Sequence, residues 1–327
     1  MTVTVIKPGL LSTVQDGGRP GYAALGVGRA GAMDIPAWQL ANALVGNQHG
    51  EAAIECTLLG PTLHFAQAAV IALTGAPISA RVGGQSIPGW TRCHLPADST
   101  LQLGGMTHGC RAYIAVRGGF EVASVLGSRS TDLHARIGHA NGRALQAGDQ
   151  LPVGAVPPLR KLAHRQAPGP LHWSLDSRPW FDPERGPLAL LRGTHAELLD
   201  AASRQELYGR RFRVSKDSNR TASRLDGPPL KLGTALELIS EVTLPGTLQL
   251  PASGQPIILL AEAPVTGGYP RIGQVAAVDL PQLAQLRPGA PVCFREATLD
   301  AALTRLAARE HRLVRLLAAI AQRLHDA

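Results

Sequence analysis

The feature that most constrains this chain is an ordered internal echo. In the first half, I-E-C-T-L-L-G-P-T-L-H-F (54–65) runs on to V-I-A-L-T-G-A-P (70–77). In the second, S-E-V-T-L-P-G-T-L-Q-L (240–250) runs on to I-I-L-L-A-E-A-P (257–264). Glu55 matches Glu241, Thr57 matches Thr243, Gly60 matches Gly246, Thr62-Leu63 matches Thr247-Leu248 and Ala76-Pro77 matches Ala263-Pro264, at an offset of 185 to 187 residues. A second pair, L-Q-A-G-D-Q-L (145–151) and L-R-P-G-A-P-V (286–292), sits near the end of each half. Chance likeness between β-rich stretches is the competing reading, but the preserved order favours two similar domains, and two copies are too few for a solenoid.

Length and punctuation agree with a tandem. A chain of 327 residues exceeds what one hydrophobic core usually serves. Its 36 glycines and 25 prolines suit many short strands separated by turns rather than a helix bundle. V-T-V-I-K-P-G (3–9) and then L-L-S-T-V-Q-D-G-G-R-P-G-Y (10–22) read as a short strand, a turn, a second strand and another turn, and further strands are expected at Ala53–Leu59, Leu63–Phe65, Val70–Leu73, Ile78–Val82, Leu101–Leu103, Tyr113–Val116 and Asp149–Val153. They resume at Leu188–Leu191, Phe212–Val214, Ala235–Ile239, Thr247–Leu250, Ile257–Ala261, Gln274–Val278 and Pro291–Phe294. That spacing predicts closed or nearly closed β-barrels. One helix is expected at Met33–Val45, with Asp34 as N-cap, Pro36 in the first turn and Gly46-Asn47 as stop. Six prolines between 155 and 186 mark a linker. Leucines at alternating three and four spacing predict a helix over Thr298–Leu324, either laid on a barrel or paired with a partner helix. The expected division is therefore a first barrel over 1–154, a Pro-rich linker over 155–186, a second barrel over 187–297 and a C-terminal helix over 298–327.

Charge and motifs exclude several classes. The net charge is +8, but only four of 32 basic residues are lysines, aromatics are 4%, and no helix-turn-helix, zinc-finger or RNP pattern occurs, which argues against nucleic acid. The start M-T-V-T-V-I-K lacks a signal-peptide pattern, and no window approaches the ~20 apolar residues needed to span a bilayer. Cys56, Cys93, Cys110 and Cys293 form no C-x-x-C, which suits reduced thiols in the cytoplasm. There is no G-x-x-x-x-G-K-[ST] P-loop, no G-x-S-x-G elbow and no H-E-x-x-H metal motif, and the histidines have no ligand spacing. No metal site is expected, and no A-M-K-M-like lysine is present to carry biotin.

Polar constellations at turns remain. Gln15-Asp16-Gly17-Gly18-Arg19 sets a carboxylate and a guanidinium beside two glycines; L-G-S-R-S-T-D (126–132) offers Ser128 and Asp132; D-S-N-R-T-A-S-R (217–224) offers Arg220 and Arg224. Such residues often bond only local backbone at turns. Their functional reading is anion or amide recognition, because the planar arginine fork matches a carboxylate with two hydrogen bonds. The stretch V-T-G-G-Y-P-R-I-G (265–273) has turn chemistry, yet it follows a second-half strand and places Arg271 where it could bind an acid group. Glu55 and Glu241 are candidate acid–base groups.

Several motifs occur together in order: K-P-G-L-L-S-T-V-Q-D-G-G-R-P-G-Y, G-A-M-D, L-A-N-A-L-V-G-N, R-A-Y-I-A-V-R-G-G, V-L-G-S-R-S-T-D, P-G-T-L-Q-L-P-A-S-G-Q-P-I-I-L-L and T-G-G-Y-P-R-I-G. In this the chain resembles the family of 5-oxoprolinase C subunits, also called KipA-like, related to the carboxyltransferase region of urea carboxylase. The resemblance runs over about residues 3 to 295 and implies two cyclophilin-like β-barrels, mainly β with some α, plus the terminal helix. It implies ATP-dependent opening of 5-oxo-L-proline to L-glutamate together with a KipI-like B subunit and a LamB/YcsF-like A subunit, ATP being used through a partner and no cofactor being covalently held. Gln255, Gly267, Gly268, Tyr269 and Arg271 in the last two motifs join Asp16, Arg19, Ser128, Asp132, Arg220 and Arg224 as substrate-binding candidates. Two alternatives stay open: a biotin-dependent carboxyltransferase component acting on urea or a related amide, with its carrier in trans, and a regulator that antagonises a KipI-like kinase inhibitor. The chain departs from the family where A-E-A-P-V-T-G-G replaces a common A-D-R-Q-T-T-G-G: Ala263 stands where an arginine could contact a carboxylate or phosphate.

Overall fold

In a computed structural model the chain is described over residues 1–156, 167–182, 186–234 and 238–325. It is mainly β and divides into two compact units. Unit 1 comprises Met1–Arg19, Asp34–Pro183 and Leu313–Ala327; unit 2 comprises Pro20–Met33 and Glu184–Arg312. The expected linker lies partly outside the described residues, at 157–166 and 183–185, as do positions 235–237 of the strand expected at Ala235–Ile239. Within the same 155–186 segment, Gly169–Ser174 forms a strand and Trp180 and Phe181 are buried in unit 1, because a tryptophan and a phenylalanine this close together hold more apolar area than a solvated linker leaves exposed.

Unit 1 holds two six-stranded sheets. Its strands are β1 (Thr2–Lys7), β2 (Leu11–Gln15), β3 (Ala53–Thr57), β4 (Thr62–Phe65), β5 (Ala69–Gly75), β6 (Ile78–Val82), β7 (Gln85–Ser86), β8 (Thr91–Leu95), β9 (Ser99–Met106), β10 (Arg111–Val116), β11 (Gln150–Pro152) and β12 (Gly169–Ser174). One sheet runs β11-β1-β4-β9-β6-β7 and the other β12-β8-β5-β10-β3-β2. Alternation on β1 buries Val3 and Val5 against Leu63, Phe65, Ile71 and Ile114 from both sheets. Strands β5, β8 and β10 are buried along their whole length, because the first helix, Ile35–Val45, packs on β5 and β10. That helix starts where Asp34 accepts from Ala37 N at 3.1 Å and stops at Gly46 with φ +76, a left-handed residue that suits glycine. The terminal helix, Leu299–His325, gives unit 1 the buried Leu313 and Ile320.

Unit 2 carries β13 (Leu188–Arg192), β14 (Phe212–Val214), β15 (Ala222–Asp226), β16 (Glu241–Val242), β17 (Thr247–Gln249), β18 (Ile257–Leu259), β19 (Thr266–Gly267), β20 (Arg271–Val275), β21 (Pro291–Val292) and β22 (Phe294–Glu296). Eight form a nearly closed sheet, β21-β14-β15-β18-β17-β20-β13-β22, while β16 and β19 pair as a separate two-stranded strap. Leu190, Phe212, Leu248, Ile258, Ile272 and Val275 fill its core, which Met33 of the early segment joins. The strand expected at Gln274–Val278 is instead β20 followed by a turn at Ala277–Asp279, where buried Asp279 accepts from Ala189 N at 2.9 Å and from Arg305 of the terminal helix at 2.6 Å.

Candidate functional site

The glycine loop takes its shape from strand pairing. Glu241 lies opposite Gly267 in the strap, and β20 begins at Arg271, held between β17 and β13. A Cβ on Gly267 would sit 2.6 Å from Gln249 Nε2, so only glycine fits there without displacing that side chain. Tyr269 at the tip is 51% exposed and Pro270 behind it is buried. Arg271 Nη1 donates to Val242 O at 3.0 Å and Nη2 donates to the Glu241 carboxylate, so the guanidinium ties loop to strap. An acid group arriving here shares Arg271 with Glu241 and meets a site already near charge balance.

His195, which the sequence reading passed over, completes this corner. Its backbone N donates to Arg271 O at 2.9 Å, and its Nδ1 accepts from Arg271 N at 3.1 Å. Accepting at Nδ1 puts the imidazole proton on Nε2. The available signal was position alone: G-T-H (193–195) begins two residues after Leu191, the end of the strand expected at Leu188–Leu191.

A second constellation forms in unit 1. The Asp16 carboxylate accepts from Gly18 N at 2.8 Å, Ser128 Oγ at 2.6 Å, Arg129 N at 2.6 Å and Ser130 Oγ at 2.5 Å. Arg19, buried, donates through Nη2 to Ser130 O. Two sequence motifs more than a hundred residues apart thus close on one carboxylate. Asp132 caps the next turn by accepting from His134 N at 3.1 Å and Ala135 N at 2.8 Å. Non-glycine residues Leu126, Arg136, Ala140 and Asn141 in this loop all have positive φ between 49° and 59°, a conformation that costs on the order of 1 kcal/mol each and needs surrounding contacts to hold it.

The remaining candidates separate. Arg220 is buried with Nε on Glu262 and Nη2 on Gly31 O at 2.6 Å. Arg224 is exposed, and its backbone N donates to Ser218 Oγ at 3.0 Å. Gln255 braces a turn through two 3.1 Å bonds with the Gly227 backbone. The two glutamates of the echo differ in kind. Glu55 is fully buried: Tyr113 Oη donates to it at 2.7 Å and Arg111 Nε lies 3.7 Å away. Burial first, and the Glu55 charge second, push the Tyr113 phenol well above its ordinary pKa, which keeps it a donor. Glu241 is partly exposed and paired with Arg271. Ala263 is buried in a small apolar cluster with Ala222, Ile257 and Leu259, a place that gives an arginine no solvent.

A family model for the carboxyltransferase domain, subdomains A and B, matches residues 25–296. The chain is 40% identical to the 5-oxoprolinase C subunit of Escherichia coli, across 91% of this chain and 92% of that protein. It is 35% identical to the 5-oxoprolinase C subunit of Haemophilus influenzae, across 89% and 90%. It is 30% identical to urea amidolyase of Saccharomyces cerevisiae, where it covers 16% of that protein. The crystal structure of Kluyveromyces lactis urea carboxylase superposes with a TM-score of 0.85 at 28% identity, covering 95% of this chain and 29% of that one.

Proposed function

The chain belongs to the family of carboxyltransferase domains with subdomains A and B, and from that premise we propose that it is the C subunit of a multisubunit 5-oxoprolinase. In that reaction water adds to the lactam carbonyl of 5-oxo-L-proline, the ring C–N bond breaks and the nitrogen becomes the amino group of L-glutamate, while ATP is hydrolysed. One observation carries the reading: likeness to two 5-oxoprolinase C subunits runs nearly end to end in both partners, whereas the urea amidolyase likeness occupies 16% of a far longer chain. In this reading the protein works with a KipI-like B subunit and a LamB/YcsF-like A subunit in the cytoplasm, and ATP is held by a partner. The chain's own part is binding: Gly267 and Gly268 allow close approach of the lactam to backbone, Arg271 beside Glu241 meets its carboxylate, and His195 Nε2–H is a donor at the same corner.

Reconstitution tests this. ATP-dependent release of glutamate from 5-oxoproline is measured with all three subunits and with this one omitted; loss on omission is expected, and equal turnover without it overturns the proposal. Biotin-dependent carboxyl transfer to urea or a related amide is the second reading, favoured by the TM-score of 0.85 to urea carboxylase. It predicts urea-dependent consumption of carboxybiotin from a separate carrier, with no glutamate release.

A further inference from the structure

Leu248 and Leu250, on and just after β17, enter the core of unit 2, so strand alternation sends Gln249 to the opposite face, beneath the strap. There Gln249 is 4% exposed, with Ile257 of β18 as its neighbour on one side and Arg271 of β20 on the other. Gly267 of the strap lies against it, close enough that a Cβ would sit 2.6 Å from Gln249 Nε2.

The polar atoms of this corner do not all find partners. Gln249 Nε2 is buried with no hydrogen-bond partner among the described residues, and so is Arg271 Nε. The other two guanidinium nitrogens of Arg271 are engaged by Val242 O and the Glu241 carboxylate. A buried N–H donor without an acceptor is costly, and few folds retain one. Here two stand on neighbouring strands, at the corner where His195 already meets Arg271. They mark a place for oxygen atoms that the described residues do not supply.

We propose that Gln249 determines specificity for the lactam carbonyl: its Nε2–H donates to that oxygen, while Arg271 Nε donates to the substrate carboxylate. This rests on the reading of the chain as a 5-oxoprolinase C subunit and deepens it. Adjacent strands lie ~4.8 Å apart, a span that one five-membered ring with an oxygen-bearing group on either side can bridge. The carboxylate competes with Glu241 for the guanidinium, which loosens the tie between strap and β20 and lets Gly267 lift from the Gln249 amide. L-Proline has the same ring and carboxylate but no lactam oxygen. It leaves the Gln249 donor unmet, and a site built to bond a substrate's polar group discriminates strongly against an analogue that lacks it.

The test uses the complex reconstituted from all three subunits and two competitive inhibitors of glutamate release that differ by one oxygen, 3-oxocyclopentanecarboxylate and cyclopentanecarboxylate. In the wild type the ketone should inhibit about tenfold more tightly, the worth of one hydrogen bond. Gln249→Met should abolish that preference by weakening the ketone alone, and should raise KM for 5-oxoproline. Because the donor has no partner in the free protein, the same variant should keep or raise the melting temperature. Gln249→Glu, which keeps the shape and exchanges the donor for an acceptor, should lose the preference as well. Equal inhibition by the two probes in an active wild-type complex, or a ketone preference retained by either variant, overturns the assignment and leaves the 5-oxoprolinase reading standing. A melting temperature lowered by several degrees in Gln249→Met does the same, since it would place the amide in a bond of the fold. No glutamate release by the wild-type complex overturns the reading, and the assignment with it.

Discussion

Arg220 and Glu262 form an ion pair with both side chains about 2% exposed, and Arg220 also donates to Gly31 O. A buried carboxylate that loses its cation keeps its desolvation cost without the attraction that offset it. Arg220→Met is therefore expected to destabilise unit 2 by about 3–5 kcal/mol, measured by urea unfolding followed by far-ultraviolet circular dichroism; a loss below about 1 kcal/mol, the range of exposed pairs, would show that the pair is solvated. Asp149 offers a milder case. Arg143 donates to its two carboxylate oxygens at 2.7 Å each, which holds its pKa below the ordinary 3.8. A depressed folded pKa gives stability that is complete above the unfolded value and disappears as pH falls through the folded one. Asp149→Asn should flatten the fall in melting temperature below about pH 4 and leave the rest of the profile in place. The same scale explains why candidate residues with similar side chains part company: Arg220 is closed in by Glu262 and Gly31, while Arg271 keeps about a quarter of its side chain accessible and stays available to a ligand.

At the scale of elements, the first helix is framed by two local signals. Asp34 accepts from Ala37 N, and its own N donates to Tyr113 Oη at 2.7 Å. Asp34→Ala should cost about 1 kcal/mol, and Gly46→Ala, at φ +76 with Arg117 Nη1 3.2 Å from the new Cβ, a comparable amount; both are read from chemical denaturation. The strap β16–β19 is the element on which the proposed activity turns. Arg271→Ala frees Glu241 and Val242 O from the loop, so glutamate release by the reconstituted complex should fall by about 10- to 100-fold with the circular dichroism spectrum retained. Unchanged turnover would reduce the loop to a turn. Strands with buried, polar outward faces were the ones composition concealed. T-R-C-H-L (91–95) is buried at every position beneath neighbouring elements, and its threonine, arginine and histidine read as solvent-facing until those elements are in place. The helix Ala201–Gly209 escaped notice for a related reason: only Ser203 and Leu207 are buried, which leaves no apolar stripe to read.

Taken as a whole, each unit draws on chain that its sequence position does not suggest. Unit 2 counts Pro20–Met33 among its residues, with Met33 in its core and Gly31 O bonded to Arg220, while unit 1 counts Leu313 onward. Leu313→Ala should therefore destabilise unit 1, by about 2–4 kcal/mol for a buried leucine truncated to a cavity, seen in differential scanning calorimetry; a transition unchanged to within a degree would place that leucine in solvent. The class of the molecule was legible in the sequence because strand length, turn residues and the echo are short-range signals, set by local sterics and by which side chains avoid water. Family membership was legible because motifs persist as strings. The environments were not. Glu55 and Glu241 occupy matching places in the echo, yet one is sealed under Tyr113 and the other faces Arg271 at a partly open loop. Asp16 reaches Ser128 and Ser130, and Arg271 reaches His195 and Glu241, only through closure of the sheets. Local pattern fixes which residues form strands, whereas burial, charge pairing and convergence on a site depend on contacts between segments far apart in the chain, and those exist only once the sheets have closed.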